Sequence, residues 1–207
     1  VGLGLPTISL ALLTALLDLP TAMALLVVPA FCTNIWQGFV GGHLLLLSRR
    51  LWPLLLAAIP FVWVGAALSG LFETAILTRF LGGMVVIYAA LSFWSVPYSI
   101  PLPLQASLGP LCGAINGVLT GLTGRLFLPG VMYLQSIGLS RDQLVQAMGL
   151  LFALSTLALG ISLQETGRID AGHWQISGLA LLPALFGMHC GKICRGYLSD
   201  DLFRRVF

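Results

Sequence analysis

The residues best suited to binding a ligand are concentrated at positions 113–130 of a strongly apolar chain. Glycines recur there beside Asn116, Thr120, Thr123 and Arg125, whose side chains donate hydrogen bonds. A helix broken at these glycines would also expose backbone N–H groups, which bind oxyanions. Irregular backbone at membrane depth is tolerated only where it is buried in protein or lines a cavity. The pattern therefore predicts a broken segment that binds a small polar ligand.

The composition is that of a membrane protein. Hydrophobic residues make up 58% of the 207 positions and charged residues 8%, with a mean hydropathy of +0.99. Soluble domains carry roughly 25% charged residues, and the strands of a membrane β-barrel would alternate apolar with polar residues. The continuous apolar runs predict an all-α integral membrane protein. Its basic residues stand at segment ends, which suits lipid headgroups and not nucleic acid.

About 7–8 helical segments are predicted from the lengths of the apolar runs. Full spans are assigned to residues 21–41, 51–72, 73–94, 141–163 and 173–197, and the segment 104–138 is interrupted by its glycines. Asp18 is expected to cap the first full span. Ser140 and Gln143 have the spacing of a capping box for the helix that follows them. We expect both ends of the chain to be cut relative to a complete protein.

Sliding the chain on itself by about 122 positions aligns its two halves, which indicates an internal repeat. The matched pairs are Thr33 with Ser155, Asn34 with Thr156, Trp52 with Trp174 and, with one residue of slack, Pro6 with Pro129. The predicted first repeat is 1–94, without its N-terminal arm, and the second is 104–207, without its last helix. Prolines mark 95–103 as the linker. Each repeat is predicted to contain a broken or re-entrant glycine-rich segment and three spans.

The basic residues indicate that the two repeats are inverted. Arg49 and Arg50 are placed in a loop between two spans of the first repeat, whereas the corresponding loop of the second repeat, 164–172, is near neutral. The basic excess of the second repeat comes one loop later, at Lys192, Arg195, Arg204 and Arg205. If positive loops are cytoplasmic, each repeat crosses the membrane an odd number of times. Residues 113–138 should then enter and leave on one side.

Several of these motifs resemble the sulfite exporter TauE/SafE family. The residues that carry the resemblance are Gly117-Val-Leu-Thr-Gly-Leu-Thr-Gly124, Leu128-Pro-Gly130, Gly138-Leu-Ser-Arg-Asp142 and, in the first half, Gly2-Leu-Gly-Leu-Pro6 and Thr33-Asn-Ile-Trp-Gln37. The resemblance implies a multi-pass permease of the bacterial cytoplasmic membrane. It further implies transport of sulfite, sulfonates such as sulfoacetate, and related small organic anions. Family members commonly have a small residue where Arg125 stands.

Arg125 has two interpretations. A guanidinium at the centre of a bilayer costs about 2.5–3.5 kcal/mol on insertion scales, so it should face protein or water. In one interpretation it binds a sulfonate or carboxylate beside the helix break. In the other it lies at a shallower depth and extends to the headgroups.

The remaining candidates for substrate binding share small size or neutral hydrogen-bonding groups. They are Gly4, Asn34, Gln37, Asn116, Thr120, Gly121, Thr123, Gly124, Ser155 and Thr156. The glycines, with Gly117, either open the backbone to an oxyanion or allow close helix packing; we favour the opening. The polar side chains either complete a site between the two repeats or form interhelical hydrogen bonds of about 0.6 kcal/mol each.

The preferred function is alternating-access transport of a small anion, with no cofactor. The alternatives are a membrane-embedded enzyme and a helical scaffold without transport activity. No catalytic group is assigned, because every carboxylate stands at a segment end. Cys190, Cys194 and His189 are assigned to packing and structure and not to a metal site. Membrane lipid is an expected partner, self-association stays open, and the sequence leaves proton coupling and facilitated diffusion as alternatives.

Overall fold

The computed structural model describes residues 4–93, 99–124 and 128–196. Within these ranges every regular element is a helix: α1 (Gly4–Leu16), α2 (Leu19–Phe39), α3 (Leu44–Ser69), α4 (Thr74–Phe93), α5 (Leu102–Thr123), α6 (Leu128–Ser136), α7 (Arg141–Glu165), α8 (Ala171–Leu179) and α9 (Leu181–Gly196). Helices α2, α3, α5 and α7 are long and apolar enough to cross a membrane. The predicted all-α membrane fold is confirmed. The repeat boundaries stay a prediction, and the expected last segment lies outside the described residues.

Both predicted helix starts are capped as expected. Asp18 accepts a hydrogen bond of 2.8 Å from the backbone N–H of Thr21 and another of 2.8 Å from its hydroxyl. These bonds to the carboxylate lower the pKa of Asp18 below its usual value. At the start of α7, Ser140 and Gln143 form the complete capping box. The polar residues between apolar runs therefore fix where these helices begin.

Two element boundaries were predicted wrongly. Arg49 and Arg50 lie inside α3 and not in a loop, because the helix already begins at Leu44 in a run of leucines that favour helix. The turn before it is made by Gly41 and Gly42, which both have positive φ angles. The predicted span 173–197 is divided into α8 and α9. The division precedes Pro183, which has no N–H to continue the helical hydrogen bonding.

Helices α3 and α5 run parallel and pack backbone against backbone. An added methyl group at Gly113, Gly117 or Gly121 would overlap the carbonyl oxygen of Leu54, Ala58 or Val62, respectively. The contact is reciprocal, because a methyl group at Gly65 would overlap the carbonyl of Val118. Small residues at one-turn spacing permit this close approach. The pair forms the most extensive helix contact among the described elements.

Helices α5 and α6 form a hairpin whose two outer ends lie together. The backbone N–H of Ile100, just before α5, donates to the carbonyl of Ser136 at the end of α6 (2.8 Å). The guanidinium of Arg50 on α3 donates to Gln105 Oε1 of α5 (3.0 Å) and to the carbonyl of Ile137 (2.6 Å). The outer ends of α5 and α6 therefore lie at the same end of the bundle, and the first arm is a full-length helix and not the short one predicted. Entry and exit on one side of the membrane stays a prediction.

Helices α2 and α7 cross in an antiparallel arrangement that follows the internal repeat. Gly38 packs against Gly149, and Val27 packs against Gly160. The predicted repeat offset of about 122 positions aligns Gly38 with Gly160 and Val27 with Gly149, so it converts one contact into the other. Each contact is thus the counterpart of the other. An antiparallel pair of equivalent helices is what inverted repeats require.

The two ends of the bundle differ in charge. The connections 40–43 and 137–140 lie at what we call the Arg50 end, and the connections 17–18, 70–73 and 166–170 at the opposite, Asp18 end. Of the described charged residues up to Asp170, Arg49, Arg50, Arg141 and Asp142 lie at the Arg50 end; Asp18, Glu73, Arg79, Glu165, Arg168 and Asp170 lie towards the Asp18 end. The positive-inside rule predicts that the Arg50 end is cytoplasmic.

The close contact between α3 and α5 predicts that Gly121→Ala is destabilising. The added methyl group meets the α3 backbone, which cannot rotate away, so we expect a loss of about 1–3 kcal/mol in unfolding free energy. Thermal unfolding in detergent measures the effect. Gly83→Ala on α4 is the matched control, because nothing lies within 4 Å of its added methyl group. Equal stability of the two variants would contradict the packing.

The inverted arrangement predicts that Ser48 and Thr166 face opposite sides of the membrane, because Ser48 lies near the Arg50 end and Thr166 at the Asp18 end. In a cysteine-free background, an impermeant maleimide added outside intact cells should label Thr166→Cys and not Ser48→Cys. Permeabilised cells, in which both positions should react, provide the control. Labelling of both positions from one side would show that the arrangement is wrong.

Candidate functional site

The helix break lies after the last glycine of α5 and not at the glycines within the helix. Helix α5 is continuous through Gly113, Gly117 and Gly121 and ends at Thr123, followed by Gly124 with a φ angle of 80°. The predicted backbone opening at Gly117 and Gly121 is therefore wrong, because these residues have helical backbone and contact α3. Arg125 lies outside the described residues, and Gly4 is the first residue of α1.

Asn116 projects from α5 into the interior without a hydrogen-bond partner. Its side chain is 0% exposed, and both Nδ2 and Oδ1 are unpaired. It lies against Gly130 at the start of α6, where an added methyl group would come within 2.8 Å of Asn116 Oδ1 and within 2.8 Å of the Leu151 side chain. Buried polar groups without partners are rare, and leaving one unpaired costs about 1–3 kcal/mol.

Asn34 and Ser155 are unpaired in the same way. Asn34 on α2 is 5% exposed with Nδ2 unpaired, and Ser155 on α7 is 1% exposed with its hydroxyl unpaired. Among the described residues, Thr14 on α1 carries the one other such atom.

These three side chains lie at one depth. The two contacts of the α2–α7 crossing place Asn34 and Ser155 near its centre, midway along α7. Asn116 lies at the same level, because Gly130 contacts both Asn116 and Leu151. Leu151 stands one helical turn before Ser155 on α7. Three of the predicted site residues therefore lie at a similar depth, near the middle of the bundle. Their hydrogen-bonding capacity is free for a ligand.

Other predicted donors are already occupied. The hydroxyl of Thr120 donates to the carbonyl of Asn116 (2.7 Å), and that of Thr123 donates to the carbonyl of Leu119 (2.8 Å). Gln37 Nε2 donates to the carbonyl of Val145 on α7 (2.7 Å). The bond of Gln37 matches the interhelical alternative, whereas those of Thr120 and Thr123 lie within α5 and were not predicted. Substrate binding by these residues stays a prediction.

Gly124 and Thr156 line a small pocket at the end of the hairpin. Its walls come from α1, α2, α5 and α7, and are formed by Leu10, Met23, Leu26, Val27, Gly124, Thr156 and Leu159. Its volume is about 10 Å³, near the minimum for one water molecule. Sulfite would not fit this pocket. A ligand could therefore bind here only after the walls move apart.

Gln146 was not predicted and has a structural function. It is fully buried in α7, where Nε2 donates to the carbonyl of Gly38 (2.9 Å) and Oε1 accepts from the N–H of His43 (3.1 Å). With the bond from Gln37, it joins α2 to α7 near the Arg50 end. An amide within the apolar run of α7 was the available signal. Sequence alone does not distinguish this paired glutamine from the unpaired Asn116.

The described part of the interior is uncharged. The described carboxylates stand at helix ends, as the N-caps Asp18 and Asp170 illustrate. Hydrogen bonds from the backbone and side chain of His173 lower the pKa of Asp170. No group of His, Cys, Asp and Glu suited to a metal ion occurs among the described residues. The available chemistry at mid-depth is hydrogen bonding by neutral amides and hydroxyls.

The chain matches a known protein family along its whole length. The family described as Sulfite exporter TauE/SafE matches residues 1–207, the whole chain. The chain belongs to this family. It is therefore a membrane transporter of the sulfite or anion exporter type. No curated protein and no solved structure matches the chain.

The contrast between Asn116 and Gln146 predicts opposite effects of the same substitution. Asn116→Leu removes two unpaired polar atoms, so the unfolding free energy in detergent should stay equal or increase. Gln146→Leu leaves a carbonyl and an N–H unpaired and should cost about 1–3 kcal/mol. Thermal unfolding of both variants in one detergent is the measurement. A strong loss of stability in Asn116→Leu would mean that Asn116 has a structural partner.

Proposed function

We propose that this protein transports sulfite, sulfonates such as sulfoacetate, and related small organic anions across the bacterial cytoplasmic membrane by alternating access. The observation that carries the proposal is the set of unpaired, buried donors at mid-depth, on Asn34, Asn116 and Ser155. A membrane-embedded enzyme would need charged or nucleophilic groups, whereas a site that binds and releases an ion needs moderate neutral contacts. Transporter sites commonly lie near the midplane at a repeat interface.

The symmetry of the α2–α7 crossing supports alternating access. When two halves of similar fold are inverted, exchanging their conformations turns an inward-open state into an outward-open one. The membrane potential favours anion exit by about 2.3 kcal/mol per charge per 100 mV, so export needs no additional energy source.

Proteoliposomes with radiolabelled sulfite and sulfoacetate test the proposed activity. Flux above that of protein-free vesicles is expected for at least one of these anions, and an inside-negative potential should speed exit. Absence of flux across a panel of small sulfur-containing and organic anions would overturn the proposal.

Arg125→Gln tests the candidate cation in the same assay. If the guanidinium binds the substrate, its removal should raise the apparent KM about tenfold or more, since hydrogen bonds to charged groups contribute about 1.5–3 kcal/mol. Ser136→Ala is the control, because that hydroxyl is bonded within α6 to the carbonyl of Met132. An unchanged KM in Arg125→Gln would place the guanidinium at the headgroups and not at the substrate.

A further inference from the structure

The unpaired groups of Asn116 define what a substrate must offer. A side-chain amide presents a donor at Nδ2 and an acceptor at Oδ1. Both atoms are unpaired in the fully buried Asn116. Rotating the amide by about 180° exchanges the two atoms, and the ligand must still supply one acceptor and one donor. Asn34 Nδ2 adds a donor, and the Ser155 hydroxyl can donate as well. The site therefore combines several donors with one acceptor that needs a donor from the ligand.

A fully deprotonated oxyanion satisfies only part of this set. Its oxygens accept hydrogen bonds and donate none. Asn116 Oδ1 would stay buried and unpaired. It would also lie beside a negative charge, and the repulsion between that charge and the amide oxygen would weaken binding. An oxyanion that retains one O–H can instead donate to Oδ1 while its charged oxygens accept from the donors.

Charge favours the protonated form as well. The cost of moving an ion out of water grows with the square of its charge, so a dianion costs about four times as much as a monoanion of the same size. At this depth the described helices contribute neutral groups, with described charged side chains lying toward the helix ends. A dianion would therefore bring twice the charge of a monoanion into a region whose described groups are neutral.

We infer that the preferred substrate is a singly charged oxyanion that keeps one O–H, such as hydrogen sulfite, and that sulfonates without an O–H are carried less well. The O–H donates to Asn116 Oδ1, and the charged oxygens accept from Asn116 Nδ2, Asn34 Nδ2 and the Ser155 hydroxyl. The inference rests on the transport function proposed above. The proton enters bound to the substrate oxygen and leaves with it, so no bond of the protein changes. One negative charge and one proton move together, and no titrating side chain inside the membrane is required.

The pH dependence of flux in proteoliposomes tests the transported species. At constant total sulfite, uptake should follow the concentration of hydrogen sulfite and fall about tenfold per pH unit above the second ionisation of the acid. A trapped pH dye should report acidification of the lumen with the same time course. Protein-free vesicles supply the correction for permeation by sulfur dioxide. Methanesulfonate, an anion without an O–H, should show no such pH dependence.

Asn116 is tested by the ratio of two fluxes, which a loss of folded protein does not change. The unsubstituted protein should prefer hydrogen sulfite to methanesulfonate by about tenfold, as expected for one unpaired acceptor. Asn116→Leu, with Asn116→Ala as a second variant, should bring that ratio close to one. Ser136→Ala should leave it unchanged.

The outcomes separate this inference from the proposed function. Sulfite flux that follows the hydrogen sulfite concentration, with lumen acidification and a ratio that depends on Asn116, supports both. Sulfite flux that rises with pH, or that brings in no protons, would overturn the inference and leave transport established. A ratio unchanged in both Asn116 variants would remove Asn116 as the acceptor of the substrate proton. Absence of any flux would overturn both.

Discussion

The close contact between the backbones of α3 and α5 is the constraint on which the rest of the interior depends. It exists because Gly113, Gly117 and Gly121 present no side chain to the carbonyls of α3. With one face of α5 fixed in this way, Asn116 must project elsewhere, and it projects into the interior beside Gly130. The glycines therefore contribute to the site indirectly. They set the rotation of the helix that carries the unpaired amide.

The crossing of α2 and α7 provides the second half of the site. Two contacts related by the repeat, Gly38 on Gly149 and Val27 on Gly160, hold the helices on either side of a polar centre. Gln37 and Gln146 reinforce the crossing at the Arg50 end. The polar residues of α2 and α7 thus include some that join the two helices and others, Asn34 and Ser155, that have unpaired buried atoms.

The sequence predicted the class of fold and the capped helix starts, because each depends on local composition, and it named Asn34, Asn116 and Ser155 among the binding candidates without showing which candidates are unpaired. Asp18 and Ser140 cap helices by bonding to neighbours three residues away, so their capping function can be predicted from the sequence. The continuity of α5 was not predictable in this way. The sequence does not distinguish a glycine that breaks a membrane helix from one that contacts the backbone of another helix. The partner of Gly117 on α3 is distant in sequence. The pairing of Gln146 with Gly38 depends on the same kind of long-range contact.

The parallel direction of α3 and α5 has a consequence for biogenesis. Both helices are apolar enough to cross a membrane, and α4 must cross between them before they can meet. Helix insertion and helix association are separate stages, and the glycine contact belongs wholly to the second. Until α5 arrives, the surface of α3 that carries Leu54, Ala58 and Val62 is in contact with lipid. The nascent chain therefore passes through a stage in which all its membrane segments can be correctly inserted while the contact between α3 and α5 has not yet formed.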